Sequence, residues 1–598
     1  MIRAVVGGAS DADGRAGVAW AGSSVPLHVE AELTIAADAT LHYVDDLVRR
    51  LAARGERPTS RQTGALIAAA YRAWGLDAAA QLEGDFAFVL WDAGRRRVVA
   101  ARDFMGRRPL HHALVGPRLG LASEPAALLT VPGASTALHI EHLAGRAAGL
   151  LEAWESAYAG IRVLAAGRTL TAEVGRDGAV ASVAVTRHWE PPTFEQDDGR
   201  SLDDAAEELR ACLLDAVRER LDPDAPTAVW LSGGYDSPAV FGAARAAATY
   251  RDAVRAVSMS YPPGDPGRED ELITAAAARW NAPVTWRDVD DVPVLGDALA
   301  WAGRRPQPFA HAFEHWLRTL ADAAHGEGAR VVLDGSGGDQ LFQVSPVYLA
   351  DLVRRGRWLA ARREWHAQGL AGAGWRRLAR AAVLPQLPPW GWTLAGRLRG
   401  GRALRGLRAG VIPPWIRRHG ALWDALAARA ELRLRPRPGE SAAALESRWY
   451  LETSYSAAVF AEQSRIAREA GVEVRSPLYD GRLVRLAATR PRWERAGGGE
   501  SKRLLRQAAA GWLPAELVAK RLSRTGVTSA YFTRLMVREL PGLVPRVINT
   551  PVLAELGVLE PGSFRQGVER YCRAPDAELG AALFATLQTE LWLRARAS

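Results

Sequence analysis

The chain has 598 residues, 48% of them hydrophobic and 24% charged, which is enough apolar material for two or more ordinary domains and excludes wholesale disorder. The formal net charge is +9, but Lys502 and Lys520 are the only lysines among the basic residues, an arginine bias that points to genome composition rather than to nucleic-acid binding. Cys212 and Cys572 stand in no CxxC or Cys/His cluster, which argues against a disulfide framework or a zinc site, and with no signal-like start and no run of about 18 apolar residues the expected location is the cytoplasm, without stable membrane insertion.

In chain order, the stretch to about residue 195 reads as short strands and turns with a few helices, an α+β texture. GDFAFVLWDAGRRRVVAARD predicts two strands joined by a turn at Asp92 to Arg95, and RPLHHALVGPRLGLASE predicts another hairpin, with His111 and His112 as ordinary strand residues. WEPPTFEQDDGR, polar with a Pro-Pro pair, reads as a linker. From Ser201 the texture changes. SLDDAAEELRACLLDAVRERL predicts a helix capped by Ser201, with Leu202, Ala206, Leu209, Leu213 and Val217 as its apolar stripe. A strand (Ala228 to Leu231), a glycine loop and a helix follow, then AVRAVSMSY, EDELITAAAARW, PVTWRDV and ARVVLDG. This alternation predicts a parallel sheet with helices on both faces. The part beyond about Glu440 reads as mainly helical. The division expected is therefore residues 1–195 and 196–598.

Within 345–440 lies an unusual insertion. Arg354 to Arg418 holds fifteen arginines and one acid, Glu364, interleaved with Trp358, Trp365, Trp375, Trp390, Trp392 and Trp415. Two readings stand: solvated helix faces with tryptophans at packing seams, or a docking surface for an acidic or extended partner. Membrane-surface contact is a weaker third.

The chemistry is concentrated in VWLSGGYDSPAV. A strand that stops in Gly-Gly before a helix lets backbone approach a ligand closely, and the helix N-terminus offers free N–H groups to phosphate oxygens. Ser232 and Ser237 add hydroxyls. Asp236 would repel phosphate unless it holds Mg²⁺ that the phosphates share. The second loop, SGGDQLF, repeats this with Asp339 after Gly337 and Gly338, so two acids on neighbouring strand ends are expected to grip one metal. The loop is not a Walker A, since Gly-Lys-Ser/Thr is missing.

LSGGYDS resembles the pyrophosphate loop of N-type ATP pyrophosphatases. With VVLDGSGGDQLF, VEVRSPLYDGRLVRLA and SKRLLRQAAAGWLPAELV the likeness narrows to the asparagine synthetase superfamily, and LEGDFAFVLWD, ARDFMGRRPL and LASEPAALL resemble its glutaminase-type (Ntn) half. The resemblance implies an Ntn-type α+β sandwich followed by an α/β synthetase domain with a helical C-terminal part, using ATP and Mg²⁺. It departs from the family where a catalytic cysteine is expected: position 2 is Ile2 and no cysteine precedes Cys212. The first half is therefore expected not to release ammonia from glutamine.

Two groups of relatives share that loss, the β-lactam synthetases and the lasso-peptide cyclases. Chain length and the Arg/Trp-rich insertion with PPWIRRHG look more like the cyclases. This implies adenylation of an Asp or Glu side chain in a precursor core peptide, followed by macrolactam closure with its N-terminal amine. The partners implied are a leader-recognition protein and a leader peptidase, with no nucleic acid. By resemblance Leu231, Ser232, Gly233, Gly234, Asp236, Ser237, Ser258, Gly335 and Gly337 bind nucleotide and pyrophosphate, and Asp236 and Asp339 hold the metal. Glu462 is the general base, Lys502 stabilises developing charge, and Arg524 is an electrostatic clamp. Ser336 stands where β-lactam synthetase has an assisting tyrosine. Alternatives are a β-lactam-synthetase-like or ammonia-dependent amide ligase, a non-catalytic scaffold presenting the precursor, and, against the glutaminase-like half, a tRNA-modifying pyrophosphatase.

Overall fold

The computed structural model describes all residues except 11–15, 21–22, 153, 251–252, 310–312, 344, 369–381, 383–411, 432–435, 522–527 and 598. The first half holds two sheets. One has strand order β2(Ala16–Ala19)-β1(Arg3–Ser10)-β8(Arg118–Ala122)-β7(His111–Val115)-β9(Arg162–Val163). The other runs β11(Val180–Arg187)-β10(Arg168–Val174)-β6(Arg97–Arg102)-β5(Gly84–Asp92)-β4(Leu33–Leu41)-β3(Leu27–Glu30).

Strand β5 shows why FAFVLW is apolar without alternation. Its side chains still alternate between faces, but both faces are covered. Phe86, Phe88 and Leu90 pack towards the helices Val44–Ala52 and Thr63–Trp74, while Ala87, Val89 and Trp91 pack with Ile2, Val6 and Leu121 between the sheets. Both predicted hairpins are present. His111 is buried, and burial holds its imidazole down at about 3, so it is a neutral strand residue.

The second half is built on an all-parallel sheet of order β14(Val284–Asp288)-β13(Val254–Ser260)-β12(Thr227–Trp230)-β15(Val331–Leu333)-β16(Glu473–Arg475). Strand β12 is central and buried on both faces, Ala228 and Trp230 towards one core, Val229 and Leu231 towards the other. The chain leaves β12 to one side for β13 and returns to its other side for β15. The C-terminal ends of β12 and β15 thus flank a topological switch point, where open α/β sheets bind ligands. The helix Leu202–Arg218 packs on this sheet, with Ser201 Oγ accepting from Asp204 N at 3.1 Å as its cap.

One sequence expectation, the linker, needs correction, and two are refined. The C-terminal part supplies β16 to the main sheet and a small hairpin, β17(Ala496–Gly497) and β18(Glu500–Ser501), besides its helices. Three residues are too few to display a strand period. The expected linker is a docked strap: Phe194 is buried in the second-half core, and Glu195 accepts from Ser441 Oγ at 2.6 Å and from Arg495 at 3.3 Å. In the Arg/Trp segment, Trp415 is fully buried against Phe564 and donates to Thr586 Oγ1 at 2.9 Å, so this tryptophan is core and not a docking anchor. Trp365 is buried and Trp358 exposed; Trp375, Trp390 and Trp392 lie outside the described residues. No helix among the described residues is long and apolar enough to cross a membrane.

The two halves meet through charged side chains of the loop DFMGRRPL. Four backbone N–H groups, those of Phe86, Met105, Arg107 and Arg108, donate to the buried Asp103 and shape the loop. Arg108 then reaches Glu473 Oε1 at 2.7 Å, where Thr40 also donates at 2.7 Å. Arg107, 1% exposed, donates to Gln463 Oε1 at 3.3 Å and to Ser476. Burial works against the Glu473 carboxylate, yet Arg108 and Arg475 hold its pKa at about 2, below the ordinary 4.5. Its contribution, about 3 kcal/mol at neutral pH, is complete above the unfolded value and lost as pH falls towards 2. Glu473→Gln should therefore lower the unfolding midpoint at pH 7 and erase most of that difference in a denaturation series taken down to pH 3.

Candidate active site

The first loop is fixed by its own hydroxyls and by the neighbouring strand. Leu231 N donates to Val257 O at 2.9 Å, and Ser258 Oγ donates to Leu231 O at 2.6 Å. Ser237 Oγ accepts from Ser232 N at 2.9 Å and lies 2.8 Å from Ser232 Oγ. Gly233 N donates to Glu269 Oε2 at 2.9 Å, and Gly234 N to Ser232 Oγ at 3.4 Å. Asp236 then opens the helix Asp236–Ala247, so its carboxylate sits at the positive end of a 12-residue helix.

The second loop interlocks with the first. A Cβ on Gly338 would lie 2.0 Å from Asp236 Cγ, and one on Gly335 would lie 2.7 Å from Ser237 N. Gly337 takes φ +108°, a conformation open to glycine. Asp334 closes the turn: it accepts from Ser336 N at 3.2 Å, from Ser336 Oγ at 2.7 Å, from Gln463 Nε2 at 3.1 Å and from Ser476 Oγ. Ser336 is thus engaged by Asp334 rather than by Glu462, and a Ser336–Glu462 pair standing in for a tyrosine–glutamate pair does not form.

Lys502 ties the loops together. Its Nζ lies 2.5 Å from Asp236 Oδ2 and 2.6 Å from Asp339 Oδ1. The residue is 6% exposed and takes φ +55°, left-handed for a non-glycine, which aims the side chain between the two acids. Burial pushes the Asp236 carboxyl up to about 6 against the pull of Lys502, with Asp339 adding to the rise. Burial disfavours the ammonium, but Asp236 and Asp339 hold its pKa above the ordinary value.

The donor set fits a hard divalent cation. Asp236 Oδ1 is buried with no protein partner, while Asp339 is 62% exposed and open to solvent and ligand. Among the described residues no group of three or more His, Cys, Asp or Glu forms a cage. Mg²⁺ is commonly held in this way, by one or two carboxylates with phosphate and water completing its shell.

Glu462 lies on the helix Ser454–Glu469, one residue before Gln463 and its bond to Asp334. It faces a cavity of about 360 Å³ between the two halves, lined also by Arg146, Glu152, Phe309 and Ala458. Arg146 Nη2 comes within 3.5 Å of Glu462 Oε1. Sequence reasoning missed Glu269, Asp334, Gln463 and the first-half residues Arg107 and Arg146. It placed a basic site residue near Arg521 to Arg524 and chose Arg524; Arg521 donates to Gly233 O and lies 4.5 Å over the Tyr235 ring. Arg524 lies outside the described residues.

The asparagine synthase family pattern matches residues 208–594, spanning both glycine loops, Lys502 and Glu462. The chain belongs to the asparagine synthase family. A glutamine amidotransferase domain pattern matches residues 19–183, in the two-sheet half. Among curated proteins the chain is similar to the amidase chyE of Penicillium rubens, 28% identical over 48% of this chain and 44% of that protein. It is similar to asparagine synthetase [glutamine-hydrolyzing] 3 of Bacillus subtilis, 28% identical over 35% of this chain and 33% of that one. A putative asparagine synthetase [glutamine-hydrolyzing] of Mycobacterium tuberculosis is 30% identical over 49% of this chain and 44% of that one. The matched stretches span less than half the length of these relatives.

For this family member, Gly338→Ala should drive a methyl group into the Asp236 carboxylate. Overpacking of this kind costs about 1–3 kcal/mol, so the thermal unfolding midpoint is expected to fall by several degrees while the circular dichroism spectrum at about 20 °C stays that of the parent.

Proposed function

We propose that the chain is an ATP-dependent, AMP-forming amide ligase that closes a macrolactam in a precursor core peptide, as a lasso-peptide cyclase. The observation that carries this reading is the Asp236–Lys502–Asp339 cluster on two interlocked glycine loops, which the Gln463–Asp334 hydrogen bond ties to the helix that bears Glu462. The cysteine count supports an amine supplied by the substrate: the amidotransferase-type half carries no cysteine, Ile2 is buried in its core, and burial raises the Cys212 thiol pKa.

A carboxylate oxygen is a poor leaving group; its attack on the α-phosphate of ATP, with pyrophosphate departing, makes it part of AMP, which is a good one. The N–H groups and hydroxyls of Ser232 to Ser237 receive the pyrophosphate oxygens. Lys502 offsets the negative charge that accumulates as the α–β bond breaks. Mg²⁺, held by Asp236 and Asp339, would supply further charge compensation on the phosphates. A peptide α-amine has a pKa of about 8, so roughly a tenth is already neutral at pH 7. Glu462 takes the proton that the attacking nitrogen releases, and Arg146 positions that carboxylate from the first half.

In this reading a leader-recognition protein and a leader peptidase deliver the core peptide. A second reading is amide formation from free ammonia.

Incubation with ATP, Mg²⁺ and a leaderless core peptide should remove one water from the peptide mass and form AMP and pyrophosphate in step. AMP formation with free aspartate and ammonia, and asparagine as product, would favour the second reading; no AMP with any acid would favour a scaffold. Glu462→Gln should cut cyclisation at least 100-fold and leave ATP–pyrophosphate exchange within about threefold of the parent, separating the amine step from adenylation.

A further inference from the structure

Strand β11 is the outer edge of the six-stranded sheet, paired with β10 on one side and with no strand on the other. None of its eight residues is buried. Among the described residues its first amide alone is taken on the outer side, by Pro117 O at 2.9 Å. The remaining N–H and C=O groups that point away from β10 face water, and an edge of that kind is a template for a further strand. Natural edges are blunted by short length, charge or proline. The other sheet ends among the described residues follow that rule: β9 has two residues and β2 four, β3 ends in Glu30, β14 in Arg287 and Asp288, and β16 carries Glu473 and Arg475. Strand β11 departs from it. Val180 to Thr186, VASVAVT, hold no charge and no proline.

The pattern along this edge is self-complementary. Its register with β10 is regular from Ser182 to Arg187. Val183 and Val185 stand opposite Ala172 and Leu170, which belong to the core between the sheets, so both valines point to that side. Ser182, Ala184 and Thr186 point to the other side. An antiparallel copy of the strand, related by a two-fold axis at Ala184, sets each Val183 against Val185 of the second copy and each Ser182 against its Thr186. Valine meets valine on one face and hydroxyl meets hydroxyl on the other, and such cross-strand pairs stabilise antiparallel ladders. Like charges stay apart: Arg187 falls opposite Ala181 of the second copy, is held at home by Glu452 at 2.9 Å, and lies about 20 Å from its symmetry mate, six rises of about 3.4 Å. An axis at Val185 would set Val183 against Arg187, and an axis at Val183 would run the pair into the irregular register before Ser182.

We propose that β11 joins two copies of this chain through an antiparallel strand pair centred on Ala184, so that the two six-stranded sheets become one continuous sheet across the dimer. The paired stretch carries neither sign of charge, which fits a second copy better than an acidic or a basic partner. Assembly then falls to the half that has no cysteine, and this role is independent of the ligase reading. A strand pair of this length buries less than the roughly 1,200 Å² at which stable interfaces begin, so the dimer is expected to be reversible.

The test uses the full chain, 64.5 kDa, in sedimentation velocity from about 2 to about 200 µM, with amide hydrogen exchange read by mass spectrometry. The mass should climb towards that of two chains, and the amides of 180–187 should become at least fivefold better protected. Ser182→Lys with Thr186→Lys sets lysine against lysine at both hydroxyl pairs and should keep the chain a monomer throughout. Ser182→Lys with Thr186→Glu sets lysine against glutamate in the same places and should return the dissociation constant to within about fivefold of the parent. Both positions are exposed, so the two variants should unfold at the parent's thermal midpoint at the lowest concentration. A monomer at every concentration, a dimer that the paired lysines leave intact, a lysine–glutamate variant that stays monomeric, or protection that falls outside β11 would each overturn the proposal. Protection of 180–187 by the leaderless core peptide with the mass unchanged would give the edge to an extended substrate and overturn the second copy as its occupant. None of these readouts involves AMP, so a failure of the ligase reading is told apart from a failure here.

Discussion

A buried ammonium between two carboxylates is the constraint on which the second half is organised. Charges removed from water are tolerated only where opposite charges and dipoles replace the lost hydration. Lys502 is held by two acids, and Asp236 is further compensated by the helix it begins. To bring those acids within reach of one Nζ, two loops from adjacent parallel strands must approach until glycine is the residue that fits. The left-handed backbone at Lys502 follows from the same demand.

The cluster holds one positive charge against two negative ones, with one carboxylate oxygen unpaired in the interior. A site left short of positive charge in this way is suited to a cation that arrives with its ligand. In the proposed reaction the same electrostatics would favour metal and triphosphate arriving together over either by itself.

Much of this was legible in the chain. The apolar run ending in Ser-Gly-Gly-Tyr-Asp-Ser and the second Gly-Gly-Asp after another buried strand identify the loops, because close backbone approach and phosphate binding demand those residue types, and the family resemblance points to Lys502, one of two lysines, as their partner. Partners supplied from a distance were not legible. Arg107 lies 356 residues from Gln463, and neither position differs in type from dozens of surface arginines and glutamines. The strap at Phe194 and Glu195 was hidden for a related reason, since its polar composition matches a free linker while two side chains decide that it is docked. Glu473–Arg475 escaped because pairing with β15, rather than any pattern of its own, makes it a strand.

The helix Ser454–Glu469 has a consequence of its own. From Ser454 to Phe460 it lines a smaller aromatic cleft of about 180 Å³, and Glu462, eight residues beyond the Ser454 start, faces the larger cavity. A helix is stiff and rises about 1.5 Å per residue, so these points are separated by about 12 Å along its axis. A ligand that engages both must bridge that interval, which about four extended residues do. The partition between the two cavities is therefore also a ruler, and a chain too short or too coiled to match its graduation meets the two ends one at a time.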